Sequence, residues 1–409
     1  MRIIKTISQY KNKARREKKK KREGKVMELV KELPEVFESF AEQRRQSFIT
    51  VCELKEKGIP VVGLFCTYLP VEIIMAMGAV PVGLCSTSDE TISDAEKDLP
   101  RNLCPLIKSS YGFAKTDRCP YFYFSDLVVG ETTCDGKKKM YEYLANYKNV
   151  YVMQLPNTQN EDGLLLFQKE LLRFKEKLEQ QFEVTITEEQ IREAIHLKNR
   201  ERESLKRFYG LMKKEPAPIL GEEIYQVLNG ASFKFDKEKA IEEVNALTER
   251  IEKEYEEGKH IEKRPRILIT GSPIGGGALK VVKAIEANGG IVVCFENCAG
   301  AKSLDRLVDE KEEDVYKALA ERYLSIGCSC MSPNPNRYEL LGRLIEEYQV
   351  DAVVDVVLQA CHTYNVETLG IKRFVKEQYE IPYMTVETDY SSADLGQLNT
   401  RMAAFIEML

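Results

Sequence analysis

The chain of 409 residues contains no tryptophan and only three histidines. Neither sign of charge dominates, because 60 Lys and Arg residues stand against 65 Asp and Glu residues. The resulting net charge of −5 gives no reason to expect nucleic acid or a membrane surface as a partner. No apolar run approaches the roughly 18 residues that a membrane-spanning helix needs. The basic N-terminal stretch also lacks the apolar core of a secretory signal, so we expect a cytoplasmic protein.

The texture of the sequence changes three times along the chain, and a length of 409 residues favours two or more domains. The charged run between Lys11 and Lys25 is typical of a solvated face rather than a binding site. The predicted regions are a helical extension over 1–50, an α/β domain over 51–160, a helical segment over 161–263 and a second α/β domain over 264–409.

Apolar runs alternate with helical patterns in both α/β regions. The first region contains IPVVGLF and AVPVGLC, and the second contains RPRILITGS, GIVVCFE and DAVVDVVL. Continuous apolar strands of this kind are typical of parallel sheets that helices cover on both faces. We therefore predict two doubly wound, flavodoxin-like domains joined by a helical segment. In that segment Thr187 and Gln190 have the spacing of a capping box, whereas heptads are not sustained enough for a coiled coil.

Eleven cysteines are the unusual feature of the composition. Their number is odd and the chain is not a small secreted one, so a disulfide framework is disfavoured. Cys52 and Cys294 lie in apolar stretches, where a free cysteine behaves as a small buried hydrophobe.

Other cysteines fall where α/β proteins place their sites. Cys134, Cys298 and Cys361 each follow a predicted strand, and ligands gather at the carboxyl ends of the strands in such sheets. Cys104, Cys119 and Cys328 lie in predicted loops flanked by Pro, Gly or Ser, where a side chain is free to turn toward a cleft.

A cleft lined by thiols favours zinc or an iron–sulfur cluster, because thiolate is the soft ligand that both prefer. Structural zinc sites usually show tight Cys pairs, and the tight pair here is Cys328 with Cys330. The spacing therefore favours an iron–sulfur cluster, while zinc and ordinary free cysteines remain open.

The segment GSPIGGGALK, residues 271–280, follows a predicted strand and opens a helix. Its backbone N–H groups could cradle a phosphate. It nevertheless matches neither the full dinucleotide-binding fingerprint nor the Walker loop. We predict a tight turn and assign no nucleotide-binding residue to this chain.

Six strings in the sequence are recognisable: FCTYLPVEII, RNLCPLIKSSYGFAKTDRCPYFYFSDLVVGETTCDGKKKMYE, VMQLPNT, CFENCAG, QACHTYN and ETDYSSADLGQLNTRMAAFIE. Through them the sequence resembles the 2-hydroxyacyl-CoA dehydratase and benzoyl-CoA reductase family, from about Ile59 to Leu409 and most weakly in the helical segment. Within that family it looks most like the double-cubane-cluster branch.

The resemblance implies a set of cluster ligands. In dehydratase subunits three cysteines hold one cubane, and the matching positions here are Cys104, Cys134 and Cys361. The double-cubane branch joins two cubanes through a sulfide and requires six thiolates. Three further cysteines complete the selection, namely Cys119, Cys298 and Cys328. Cys66 is the reserve candidate, and Cys330 could replace Cys328.

The resemblance also implies a function. We expect an anaerobic oxidoreductase, a homodimer with one double cubane per chain, that receives low-potential electrons from an ATP-hydrolysing iron–sulfur activator protein and reduces small molecules. The alternative is one subunit of a heterodimeric 2-hydroxyacyl-CoA dehydratase or aryl-CoA reductase with a single [4Fe-4S] cluster. A third class is an electron-relay protein that turns over no substrate.

Several polar residues adjoin the candidate ligands in sequence. Glu131, Lys108, His362 and Tyr364 could donate protons or hydrogen bonds to cluster sulfur, although ion-pairing and supporting roles are favoured for each. The run Lys137–Lys139 could dock an acidic activator or a CoA phosphate, although a solvated helix start is favoured.

Overall fold

The computed structural model describes residues 49–51 and 53–409. Nearly all of the predicted extension over 1–50, and Cys52, lie outside the described residues. Among the described residues, no helix is long and apolar enough to cross a membrane.

The first half of the described chain builds a four-stranded parallel sheet. Its strands are β1 (Val61–Leu64), β2 (Val80–Gly83), β3 (Leu127–Glu131) and β4 (Val150–Met153). They lie in the order β2-β1-β3-β4. The order reverses between β1 and β3, so the loops that follow these two strands open at a topological switch point.

Between Val71 and Leu144 five helices accompany this sheet, and three of them begin directly after a cysteine. They are α1 (Val71–Ala76), α2 (Ile92–Ala95), α3 (Pro105–Lys115), α4 (Pro120–Phe124) and α5 (Asp135–Leu144). Proline at the first position of α3 and α4 starts each helix, because proline has no N–H to leave unpaired there.

Four helices follow before the second sheet. They are α6 (Glu161–Phe182), α7 (Glu188–Tyr209), α8 (Gly221–Ser232) and α9 (Lys237–Glu256). The predicted capping box at the start of α7 is confirmed, since Thr187 Oγ1 accepts from the Gln190 N–H and Gln190 Oε1 accepts from the Thr187 N–H.

The second sheet repeats the topology of the first. Its strands are β5 (Arg266–Gly271), β6 (Ile291–Phe295), β7 (Ala352–Leu358) and β8 (Tyr383–Thr388). All pairs are parallel and the order is β6-β5-β7-β8. Strands β5, β6 and β7 are buried along their whole length, as their continuous apolar sequences require.

Six helices accompany the second sheet. They are α10 (Lys280–Ala287), α11 (Ala301–Leu304), α12 (Val315–Leu324), α13 (Pro335–Glu347), α14 (His362–Gln378) and α15 (Leu395–Ile406). The prediction of two doubly wound parallel sheets is confirmed. The domain boundaries themselves stay predictions.

Cys104 and Cys119 lie in loops, as the sequence predicts. Each is the last loop residue before a helix, α3 and α4 respectively. Each helix begins at the proline of a Cys-Pro pair.

The glycine-rich turn after β5 lies where the two halves of the chain meet. The Gly277 N–H donates to the Thr87 carbonyl oxygen at 3.0 Å. Gly276 has φ +47, and a Cβ there would lie 2.1 Å from the same oxygen. A Cβ on Gly277 would lie 2.3 Å from the Tyr390 carbonyl oxygen. Gly276 therefore permits close backbone packing between the halves and Gly277 permits it within the second half, in agreement with the predicted tight turn.

Candidate functional site: a thiol-lined cavity

The carboxyl ends of both sheets open onto one cavity of about 1060 Å³. Eight cysteines line it, drawn from both halves of the chain: Cys66, Cys85, Cys104, Cys134, Cys298, Cys328, Cys330 and Cys361. Five of the six cysteines predicted as ligands are thus brought together, and both reserve candidates are present.

The strand ends explain this convergence. Cys66 follows β1, Cys85 follows β2 and Cys134 follows β3, while Cys298 and Cys361 follow β6 and β7. Parallel strands that end at one edge deliver the side chains of their loops to a common place. Because the two halves face the cavity, two such edges contribute to it.

Three of the thiols share one local structure and are called the cap group: Cys104, Cys134 and Cys361. Each is the residue directly before a helix, namely α3, α5 and α14. In each case a backbone N–H two or three residues later lowers the pKa of the thiol, against the opposing effect of burial. The positive end of a helix acts in the same direction, because it stabilises negative charge.

Within the cap group the thiols of Cys104 and Cys361 influence each other. The Cys104 thiol lowers the pKa of Cys361 to about 7, assisted by the backbone N–H of Tyr364 and by Ser272, against the opposing effect of burial. The Cys361 thiol, together with burial, raises the pKa of Cys104. Burial raises the pKa of Cys134.

A second set, the network group, consists of Cys298, Cys328 and Cys330. The neighbouring Cys330 thiol holds the pKa of Cys328 well below its usual value. The Tyr364 hydroxyl lies 3.6 Å from Cys328 Sγ, and Thr67 Oγ1 donates to Cys298 Sγ at 3.7 Å. Side-chain hydroxyls therefore lie beside Cys298 and Cys328, and the backbone N–H of Cys330 also lowers the pKa of Cys328.

Behind the network group lies a chain of buried charges. Lys302 Nζ donates to the Tyr364 hydroxyl at 2.9 Å and lies 3.0 Å from Glu296 Oε1. Arg337 pairs with Glu296 on one side and with Glu367 on the other. Lys302 and Glu296 have no exposed side-chain surface, and Arg337 is almost as buried. Two cations thus balance two carboxylates inside the protein.

Cys66 joins the network group electrostatically. Its pKa is raised well above the usual value, first by burial and then by Glu131, with Cys298 and Cys328 adding to the effect. These interactions place the Cys66 sulfur close to the two other thiols.

Cys119 is placed differently. It is not among the residues that line the cavity. Its sulfur accepts from the Phe122 N–H at 3.5 Å, at the start of α4. Its selection as a ligand stays a prediction. Cys294 is fully buried in β6, which confirms its interpretation as a core residue.

The polar candidates separate into two sets. Tyr364 and His362 line the cavity, as does Lys137. Lys137 forms an ion pair with Glu131. The Glu131 carboxylate is therefore bound to the Lys137 ammonium and is not a free group. Lys108, by contrast, pairs with Glu96 and the Arg101 carbonyl oxygen and does not line the cavity.

The run Lys137–Lys139 does not act as one basic patch. Lys137 is buried, whereas the next two lysines form exposed ion pairs with Asp135 and Glu142 on α5. The predicted solvated helix start therefore describes Lys138 and Lys139 alone.

The donor set fits a cluster better than a single ion. Among the described residues, no group of three or more His, Cys, Asp or Glu is arranged to hold one metal ion. A single zinc needs its ligand atoms around one point, at about 2.0–2.3 Å from the metal. A cubane instead binds each thiolate through a different iron, so thiols spread around a cavity meet its requirement.

Two parallel sheets of flavodoxin-type order, whose loops together line one cavity rich in cysteines, define a two-domain α/β protein. A family model described as 2-hydroxyglutaryl-CoA dehydratase, D-component, matches residues 66–409. The chain belongs to this family, which confirms the resemblance seen in the sequence.

Relatives cover nearly the whole chain. It is 61% identical over 384 residues to a putative dehydratase subunit, YjiM, of Escherichia coli K12, spanning 94% of this chain and 100% of the relative. It is 24% identical to the (R)-phenyllactyl-CoA dehydratase beta subunit of Clostridium sporogenes, spanning 87% and 93%. It is 22% identical to one of the benzoyl-CoA reductase subunits of Thauera aromatica, spanning 85% and 90%. These relatives are subunits of dehydratases and a reductase.

Proposed function

We propose that the protein is the reductase component of a two-protein system, that it holds a double-cubane iron–sulfur cluster in the thiol cavity, and that it reduces small molecules. The observation that carries the proposal is the convergence of eight cysteines on one cavity. A single cubane held by three cysteines would leave five of them without a role. Low-potential electrons would come from an ATP-hydrolysing iron–sulfur activator, and the working unit would be a homodimer.

Six of the cavity thiols are assigned as ligands. The cap group supplies Cys104, Cys134 and Cys361. Cys298, Cys328 and Cys66 supply the second half, because Cys66 lines the cavity beside them whereas Cys119 does not. Cys330 is a substitute for Cys328, since both line the cavity.

When bound, the cluster supplies single electrons at low potential, since anionic thiolate ligands and burial both disfavour the added negative charge. The protein residues act around it. Helix N-termini hold the thiolates of the cap group, and Tyr364 donates toward Cys328. The buried Glu131 and Lys137 pair fixes a cation on the cavity wall, where it can support charge on the cluster or on a substrate.

The alternative is a dehydratase subunit with one [4Fe-4S] cluster held by the cap group alone. The names of the relatives favour it, since two of the three named above are dehydratase subunits. In that case the thiols of the network group would have no ligand role.

Iron and sulfide assays on anaerobically purified protein decide between the two. The double cubane requires about eight irons per chain and the single cubane about four. Stoichiometric zinc without iron would contradict both.

A matched pair of variants tests the sixth ligand. Cys66→Ser should lower the iron content, because an alcohol is a poor soft ligand, whereas Cys119→Ser should leave it unchanged. The reverse result would restore the selection made from the sequence.

A further inference from the structure

One wall of the thiol cavity comes from the helices α7, α9 and α12 and carries charged side chains instead of cysteines. These side chains, called the helical wall, are Lys198, Glu201, Arg202, Lys237 and Arg322. None of them is singled out by the sequence, and the proposed function uses none of them.

The first half of the helical wall is two lysines around one carboxylate. Lys198 Nζ donates to one oxygen of Glu201 at 2.6 Å, and Lys237 Nζ donates to the other at 2.9 Å. The Glu201 side chain is 4% exposed. Its pKa is lowered to about 2, because the attraction of the two lysines outweighs the cost of burial. Since one carboxylate neutralises one ammonium, one positive charge remains.

The second half has the same imbalance. Arg202 pairs with the fully buried Glu72 at 2.7 Å. Arg322 lies 5% exposed nearby and donates to the carbonyl oxygens of Arg306 and Ser303, which carry no charge. Burial and the neighbouring Arg202 lower the pKa of Arg322 to about 10, so it stays a cation at neutral pH.

Four cations therefore share two carboxylates, an excess of two positive charges. The contrast with the network group is informative, because its two buried cations are balanced by two carboxylates. Burying an unpaired charge is costly, and the cost is recovered when an ion of opposite sign arrives. A side chain of lysine has three donors, of which one in each of Lys198 and Lys237 is used by Glu201.

We propose that the helical wall is an oxyanion-binding site, and that it holds a carboxylate or phosphate group of the small molecule that enters the thiol cavity. The anion would bridge the free donors of Lys198 and Lys237 on the cavity side of Glu201. This inference deepens the proposed function, because it gives the substrate a negative group. Its test measures binding without turnover, so it stands or fails separately from the cluster.

The test is isothermal titration calorimetry with inorganic phosphate, and in a second series with acetate, at an ionic strength held constant with sodium chloride. The wild type should show saturable binding of at least one of the two anions. Lys237→Met should weaken it about tenfold, since a charged hydrogen-bond donor is lost. Lys198→Met should act in the same direction and serves if the first variant does not fold.

Two variants control for general charge. Lys239→Met removes the same charge from the same helix at an exposed position, 69% accessible, and should leave anion binding unchanged. Glu201→Gln should tighten binding, because it leaves both lysines without their carboxylate. Iron content is measured on every sample, so that loss of the cluster is distinguished from loss of the anion.

The absence of saturable binding of both anions by the wild type would overturn the proposal. Equal weakening in Lys237→Met and Lys239→Met would also overturn it, since that is the result of general electrostatics. Weaker anion binding in a folded Glu201→Gln protein would also overturn the proposal. It would show that the Glu201 carboxylate helps to bind the anion instead of neutralising the two lysines.

Discussion

The two thiol groups meet in one cavity but are stabilised by different means. The cap group of Cys104, Cys134 and Cys361 lies at the starts of three helices, where backbone N–H groups lower the pKa of each thiol against the effect of burial. The network group accepts from the side chains of Thr67 and Tyr364, and Tyr364 in turn depends on Lys302.

This difference has a consequence for how each half can be altered. A backbone N–H persists whatever the side chain, so point substitutions around the cap group leave its effect on the thiol pKa in place. A side-chain donor is removed by one substitution. Under the proposed function, we therefore expect the electronic properties of the cluster to respond more to substitutions beside the network group than to substitutions beside the cap group.

The largest expected effect comes from removing one ligand in each group. Cys361→Ser should lose about half of the iron or more, because a hard alcohol replaces a soft thiolate at a position without a neighbouring cysteine in sequence. Cys328→Ser should lose less, because Cys330 lines the same cavity two residues away and can take its place. The measurement is iron and sulfide content with the visible absorption spectrum.

Equal losses in the two variants would remove the distinction between the groups. Full iron and colour in Cys361→Ser would contradict the assignment of the cavity as the cluster site. Cys119→Ser is the control, because Cys119 lies outside the cavity lining.

The next effect concerns the buried charges that support only the network group. Arg337→Met removes the cation that pairs with Glu296 and Glu367 in the protein interior. This loss should lower the free energy of unfolding by about 3–5 kcal/mol. Arg343 lies on the same helix, α13, and pairs with Asp305 at 2.7 Å with its side chain 37% exposed. Arg343→Met should therefore cost about 0–1 kcal/mol.

Both variants are compared by chemical denaturation of the cluster-free protein, so that metal loss does not enter. Similar costs for the two arginines would show that the charges behind the network group are screened by water. The cap group would then differ from it only in the origin of its donors.

The positions of the strands explain which parts of the site can be predicted from the sequence. Apolar runs predict both sheets, and the carboxyl-end rule places Cys134, Cys298 and Cys361 at the site. The same rule applied to β1 selects Cys66 over Cys119, since Cys66 follows that strand closely. Cys119 lies in a loop before α4, as the sequence predicts, but that loop does not line the cavity.

The charged parts of the site are not predictable in the same way. Arg337 on α13 reaches Glu296 at the end of β6, and Lys237 on α9 reaches Glu201 on α7. The periodic pattern of α7 and α9 is that of ordinary amphipathic helices, and charged residues on such helices usually face water. Tertiary packing alone decides that a few of the charged residues on α7 and α9 face the cavity instead.

The smallest expected effect tests whether the side-chain donors of the network group adjust the reduction potential of the proposed cluster. Lysine has donors but no acceptor, so the Tyr364 hydroxyl accepts from Lys302 and its own proton is directed to Cys328. A hydrogen bond to cluster sulfur stabilises the reduced, more negative state. Tyr364→Phe should therefore lower the reduction potential with the iron content unchanged.

Redox titration followed by electron paramagnetic resonance measures the change. We expect the ratio of reduced to oxidised cluster at a fixed potential to fall about tenfold, which is about 59 mV for one electron. Lys302→Met should shift the potential in the same direction, because the hydroxyl loses the ammonium that orients it. Thr67→Val should shift it less, because the Thr67 hydroxyl has no such partner among its described contacts. An unchanged potential in Tyr364→Phe, with iron retained, would show that the network group is no more adjustable than the cap group.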